Sequence, residues 1–145
     1  MKFTHNPRLA DYFQYVWHWE SGIHFQFLAP LNSMAANIAG ATLHSWGEVV
    51  WTDKRGNSIS SKRGNEDNIS TMAVKCNCLR FVLIDEIEAA GVNLLGELES
   101  TISRNASKRY KYNSVDALPR VWGGVNIILF GDLWQLPPTG HQEFH

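Results

Sequence analysis

Two adjacent carboxylates, Asp85 and Glu86, follow the apolar run Phe81–Ile84. An apolar run with β-branched members predicts a strand buried on both faces of a parallel sheet. Acids at the end of such a strand lie at the carboxyl edge of the sheet, where open α/β folds bind ligands. An Asp there can hold Mg²⁺, and a Glu can orient or deprotonate a water molecule. Taken alone, however, the pair is more typical of a strand that simply meets solvent.

A second stretch has the same organisation. Val125–Phe130 again predicts a buried strand, and Gly131, Asp132 and Gln135 follow it. We expect Gly131 to let the chain turn sharply, and Asp132 to face the same edge as the first pair of acids. The Gln135 amide offers both a donor and an acceptor. Two strand ends of this kind predict one site large enough for a polyphosphate.

Three ordered segments together resemble the PIF-type family of ATP-dependent DNA helicases, including its Helitron-like branch. They are FLAPLNSMAANIAGATLHSW (Phe27–Trp46), LRFVLIDEIEAAG (Leu79–Gly91) and GGVNIILFGDLWQLPP (Gly123–Pro138). The GD-x-x-QLPP string after the DEI string is the most specific part of the match. The resemblance runs from Arg8 onward. It implies that residues 1–145 are a partial first RecA-like motor domain with motifs Ia, II and III, an α/β fold with a mainly parallel sheet.

The resemblance also implies roles for the acids and the glutamine, with ATP and Mg²⁺ as cofactors. Asp85 would hold Mg²⁺ through water, and Glu86 would act on the hydrolytic water. Gln135 would sense the γ-phosphate and couple it to the DNA groove, while Gly131 and Asp132 would support the nucleotide site.

Family members are expected to unwind duplex DNA by moving 5′ to 3′ on single strands, with roles in DNA repair, recombination and telomere maintenance. The segment around Ala41–Trp46 would lie along single-stranded DNA. Hydroxyl and imidazole groups there would contact phosphates, and the indole would offer a stacking face. The residues implied are Pro30, Thr42, His44, Ser45 and Trp46. For His44 and Trp46, ordinary packing at a strand end is the alternative.

One part of the family pattern is absent from the sequence. Family members carry a phosphate-binding loop, G-x-x-G-x-G-K-[ST], before the first helix, whereas residues 1–7 contain no glycine and Gly-Lys occurs nowhere. We therefore expect a chain that begins just after this Walker A loop, lacks the second RecA-like domain and hydrolyses ATP poorly alone. The alternative is a catalytically inactive remnant that binds DNA or a protein partner.

Composition narrows the class of protein. The chain has 145 residues, 44% of them hydrophobic and 19% charged, which predicts one globular domain. Its net charge of −1 excludes a polycation, so contacts with nucleic acid must come from local patches. We find neither an apolar run long enough for a membrane span nor a secretory signal, and we expect an intracellular protein, in the nucleus or alternatively the mitochondrion. Cys76 and Cys78 predict reduced thiols rather than a zinc site.

The remaining elements are predicted from periodicity. A helix over Arg8–Glu20 would present one apolar face, and a strand would run over Ile23–Ala29. A second helix is expected over about Ala89–Ser103, with an apolar face formed by Leu94, Leu95, Leu98 and Ile102. Polar loops are expected at about 51–78 and 104–122. Their lysines and arginines suit either phosphate contacts or a plain solvated surface.

Overall fold

The computed structural model describes residues 7–49, 71–110, 118 and 120–132, and its centre is a sheet. The strands are β1 (Phe25–Ala29), β2 (Ala41–Thr42), β3 (Phe81–Ile84) and β4 (Asn126–Leu129). The four strands lie in the order β2-β1-β3-β4, and every pair is parallel. The predicted α/β fold with a parallel sheet is confirmed. Strand β3 has the predicted bounds.

Helices connect the strands. They are α1 (Pro7–Asp11), continued by a π-helical turn (Tyr12–Val16), then α2 (Asn32–Asn37), α3 (Leu43–Gly47), α4 (Thr71–Lys75) and α5 (Val92–Tyr110). Two 3₁₀ turns, Ile87–Ala89 and Val121–Gly124, precede α5 and β4 respectively. Within the described ranges, we find no helix with the length and hydropathy needed to cross a bilayer.

The alternation of side chains along the strands builds a core on each face of the sheet. In β3, Val82 and Ile84 point to one face and Leu83 points to the other. The first face is mainly aliphatic and packs against α3, α4 and α5. The second is rich in aromatic rings, which come from the first helical segment and β1 and include Phe13, Phe25 and Phe27. The sheet is therefore covered on both faces, as a parallel sheet requires.

Helix α5 is longer than predicted. It begins at Val92 rather than near Ala89 and continues to Tyr110, so the predicted loop at 104–122 is wrong over residues 104–110. Ala106 is fully buried and extends the buried stripe of Leu98 and Ile102 by one more turn. Continuation of this buried stripe explains why the helix runs on past Ser103, because an apolar face packed on the core stabilises a helix more than propensity does. Leu94 and Leu95 pack against the same core, as predicted.

The predicted loop at 51–78 also needs correction at its end. Residues 50–70 lie outside the described part of the chain, whereas Thr71–Lys75 forms α4. Met72 and Cys76 are each 1% exposed. Because residues four apart share one helix face, both side chains reach the core beneath the sheet and hold this turn in place.

The first helix ends earlier than predicted, at Val16 instead of Glu20. Its second half is a π-helical turn, which changes the phase of the predicted apolar face. Phe13 is therefore buried at 2% exposure, while Tyr12 and Val16 remain exposed. Two residues after the helix ends, His18 has a left-handed backbone (φ 55°), which turns the chain away from the helix axis.

Candidate active site

The ends of the three longer strands lie side by side at the carboxyl edge of the sheet. Leu28 of β1 pairs with Ile84 of β3, which in turn pairs with Leu129 of β4. The ladder continues past the strands, because the Asp85 N–H donates to the Leu28 carbonyl at 2.9 Å. The register therefore brings Asp85 and Asp132 to one edge, as the sequence predicts.

The backbone at the two adjacent acids is locally fixed. The Glu86 N–H donates to Asp85 Oδ1 at 3.0 Å, and both residues are half-buried. Glu86 itself has a left-handed backbone, with φ 51° and ψ 48°. Non-glycine residues in this region cost of order 1 kcal/mol and are found disproportionately at functional sites. This conformation ends the β3 ladder and starts the 3₁₀ turn.

Glu88 is a site residue that sequence reasoning missed. Its side chain is buried, at 9% exposure, and Oε2 accepts a hydrogen bond from the Asp132 N–H at 3.2 Å. The backbone beside it is also paired, since the Ile87 N–H donates to the Phe130 carbonyl at 3.0 Å. An acid in an otherwise apolar IEAA turn was the signal that could have identified it.

Gly131 has a different role from the predicted sharp turn. Its φ is not positive, unlike that of Gly22, Gly123 and Gly124. A Cβ at Gly131 would lie 2.4 Å from Glu88 Oε2 and 2.6 Å from Ile87 Cγ2. The glycine is required because the strand end passes close to the turn that follows β3. Gln135 lies outside the described residues.

The residues expected along DNA occupy the other end of the same edge. Pro30 is buried directly after β1, and Thr42 is the last residue of β2. Thr42 caps α3, since its Oγ1 accepts from the Ser45 N–H at 3.1 Å and donates to Ser45 Oγ at 3.0 Å. His44 is half-buried and Ser45 is exposed. Three strand spacings separate β2 from β4, or about 14 Å.

The stacking face predicted for Trp46 is wrong. Its side chain is only 6% exposed and belongs to the core on the aliphatic face of the sheet. Lys75 covers it from α4, with Nζ 5.9 Å from the ring centroid and 2.9 Å from the Trp46 carbonyl oxygen. The packing alternative explains the indole, because α3 folds back onto the core through this side chain.

Neither Cys76 nor Cys78 forms a disulfide within the described part of the chain. Burial raises the pKa of the Cys76 thiol from 9.0 to about 11, and the nearby Lys75 opposes that rise. Among the described residues, no group of three or more His, Cys, Asp or Glu side chains could hold a metal ion. Mg²⁺ is commonly bound by one or two carboxylates together with water and substrate phosphates, and the single acid Asp85 fits that mode.

A parallel sheet that is covered on both faces and carries acids at its carboxyl edge defines an open α/β domain with a ligand site at that edge. No model of a known protein family matches the chain. A curated relative, the ATP-dependent DNA helicase RRM3 of Saccharomyces cerevisiae, is 27% identical over 111 residues, which are 77% of this chain and 14% of the relative.

Solved structures give the same assignment. The Pif1 helicase from Bacteroides, in complex with ADP–AlF3 and single-stranded DNA, aligns with a TM-score of 0.57 and 26% identity, over 85% of this chain and 25% of that one. The fold of Pif1 helicase from Candida albicans is also similar, with a TM-score of 0.53 at 24% identity over 80% of this chain and 24% of that one. The resemblance to PIF-type DNA helicases is therefore confirmed in sequence and in fold. The chain spans about a quarter or less of the relatives it matches.

Proposed function

We propose that this chain is part of the motor of an ATP-dependent DNA helicase and forms one side of its nucleotide site. The observation that carries the proposal is the register of β3 and β4, which brings Asp85, Glu86 and Asp132 to one edge of the sheet. The Pif1 structure from Bacteroides contains ADP–AlF3 and single-stranded DNA, which supports both ligands for this chain.

Each acid has a proposed role at that edge. Asp85 would hold Mg²⁺ through water, and Glu86 acts on the hydrolytic water by orienting or deprotonating it. Mg²⁺, when bound, neutralises phosphate charge. Gly131 and Asp132 support the nucleotide, and Gln135 senses the γ-phosphate. The second RecA-like domain of the parent protein supplies an arginine that completes the site.

The DNA contacts are proposed for the polar end of the same edge. Pro30 shapes the strand end, and Thr42, His44 and Ser45 lie along the phosphates of single-stranded DNA. The Thr42 hydroxyl donates to Ser45 Oγ, and the Ser45 hydroxyl donates to the Thr42 carbonyl at 3.4 Å, so the two hydroxyls would meet a phosphate as one cluster in which Ser45 is the exposed member. We propose 5′-to-3′ movement that unwinds duplex DNA, in repair, recombination and telomere maintenance, in the nucleus or alternatively the mitochondrion.

The 145 residues alone are proposed to hydrolyse ATP poorly, because they contain no Gly-Lys phosphate-binding loop. The test compares binding of a fluorescent ATP analogue with Mg²⁺ by the chain and by a version that carries the loop upstream. We expect binding by the second version only. Asp85→Asn should weaken that binding by about tenfold, whereas Glu86→Gln should retain it.

Other outcomes discriminate between the two functions. Turnover by the unmodified chain well above that of its Glu86→Gln variant would contradict the proposed inactivity. If neither version binds nucleotide while the chain binds single-stranded DNA or a protein partner, the enzyme proposal fails. The alternative of a catalytically inactive remnant then explains the chain.

A further inference from the structure

The hydrogen-bond ladder between β3 and β4 continues past the strands in an altered form. The Phe130 N–H donates to the Ile84 carbonyl at 2.8 Å, and the Ile87 N–H donates to the Phe130 carbonyl at 3.0 Å. The next donor on the β4 side is the Asp132 N–H. By then the left-handed backbone at Glu86 has turned the β3 side into a 3₁₀ helix, and the Glu86 carbonyl accepts from the Ala89 N–H.

Glu88 supplies the acceptor that this turn removes. Its Oε2 receives the Asp132 N–H at 3.2 Å, so a side-chain oxygen occupies the next step of the ladder. Gly131 makes this possible, because a Cβ there would meet the same oxygen at 2.4 Å. The carboxylate and the glycine therefore fit each other across the two strand ends.

The stability of the fold does not by itself explain why a carboxylate occupies the buried position of Glu88. Glu88 is 9% exposed, and its Oε1 is the buried side-chain atom without a hydrogen-bond partner in the described part of the chain. A buried oxygen without a partner is costly, and an apolar side chain of similar volume is often neutral or stabilising instead. The one bond that Glu88 does make fixes the backbone of Asp132.

We propose that Glu88 is a positioning residue that holds the Gly131–Asp132 backbone against the turn after β3. It thereby sets the position of Asp132 relative to Asp85 and Glu86. The proposal rests on the proposed nucleotide site for its functional meaning. The contact between Glu88 Oε2 and the Asp132 N–H, here called the latch, is argued from the contacts of Glu88 alone.

The test uses the 145-residue chain with two substitutions, Glu88→Met and Glu88→Gln. Methionine keeps the side-chain volume and removes both acceptors, whereas glutamine keeps one acceptor. Amide hydrogen exchange is measured by NMR at Asp132, with the Ile87 amide as the internal control because its acceptor is a backbone carbonyl. Glu88→Met should speed exchange at Asp132 about tenfold without lowering Tm, and Glu88→Gln should restore protection.

Three results would overturn the latch. They are unchanged exchange at Asp132 in Glu88→Met, equal acceleration at Asp132 and Ile87, and loss of protection in Glu88→Gln despite an unchanged Tm. The last two would show that Glu88 only fills space or that its charge, rather than its acceptor, matters. If Glu88→Met fails to fold, Glu88→Leu, which also removes both acceptors, takes its place in the comparison with Glu88→Gln.

A second measurement separates the latch from the nucleotide site. Carboxylate sites that suit Mg²⁺ also bind Mn²⁺, whose unpaired electrons broaden nearby amide signals. We expect Mn²⁺ to broaden Glu86 and Asp132 together in the wild type. In Glu88→Met the ratio of Asp132 to Glu86 broadening should fall about twofold, because the strand end is released. Without broadening at either residue, metal binding by Asp85 requires nucleotide phosphates, and the exchange result stands by itself.

Discussion

At one end of the carboxyl edge the acids after β3 and β4 are tied together across strands, whereas at the other end the polar groups after β2 bond to each other. Glu88 joins two strand ends that are 44 residues apart in sequence. Thr42 and Ser45 are three residues apart and close a local helix cap. The first arrangement depends on the whole sheet, and the second depends mainly on its own segment.

This difference predicts where substitutions act. Changes at the acidic end should disturb the junction of β3 with β4, because a contact there belongs to both strands. Changes at the polar end should lower the free energy of unfolding by no more than the loss of one helix cap does. Two substitutions, one at each end, measure the contrast, and the titration of a core thiol gives an effect of intermediate size.

The largest effect is expected for Gly131→Ala. The added Cβ would overlap Glu88 Oε2 and Ile87 Cγ2, and relief requires the Glu88 carboxylate to leave the Asp132 N–H and the Ile87 side chain to shift. We expect the free energy of unfolding to fall by about 3 kcal/mol in urea titrations, in the range of overpacked sites. Gly96→Ala is the matched control, since nothing lies within 4 Å of its Cβ and α5 should gain about 0.5 to 1 kcal/mol. Similar losses at both glycines would contradict the close approach.

The next effect concerns Cys76, which belongs to neither end and lies in the core on the aliphatic face of the sheet. Burial raises the pKa of this thiol from 9.0 to about 11. The stabilisation of the folded state by the protonated thiol is therefore fully present below pH 9 and is lost as the pH rises towards 11. We expect a loss of between about 2 and 3 kcal/mol across that window, measured by urea unfolding at successive pH values. Cys76→Ala should remove this dependence and Cys78→Ala should keep it. Parallel curves for the wild type and Cys76→Ala would rule out the thiol as the cause.

The smallest effect is expected for Thr42→Ala, which removes the acceptor that caps the five-residue helix α3. The loss should be about 1 kcal/mol, seen as a lower midpoint of thermal unfolding. Thr42→Ser keeps the oxygen and should stay close to the wild type. A loss as large as that of Gly131→Ala would mean that the two ends are equally dependent on the sheet.

The sequence predicts best those elements whose hydrophobic pattern lies within one short segment. The apolar run Phe81–Ile84 predicts β3 with its observed bounds, and the buried stripe of α5 follows from its leucines. Strand β4 was predicted to be buried, but its ends Asn126 and Leu129 are exposed, because in the described sheet β4 has a neighbour on one side only.

Features that depend on distant partners could not be predicted in this way. Glu99 of α5 is one such residue, since its Oε1 accepts from the Trp122 N–H at 3.0 Å and ties α5 to the turn before β4. Trp46 in a strand-end motif gives no sign that α4 will cover it. Glu88 likewise has no local pattern, because its bond depends on how β4 ends. These contacts join residues that only the folded sheet brings together.

The all-parallel pairing has a consequence for how the chain acquires its structure. Phe25 of β1 pairs with Phe81 of β3, 81 − 25 = 56 residues later, and Phe81 pairs with Asn126 of β4, 126 − 81 = 45 residues later. Each pairing must close a long loop before it gains any stabilising contact, and such topologies fold slowly. During synthesis the acidic edge can form only after residue 132 has left the ribosome. Until then β1 and β3 stay exposed in the nascent chain for longer than the helices do, and the chain is open to aggregation during that interval.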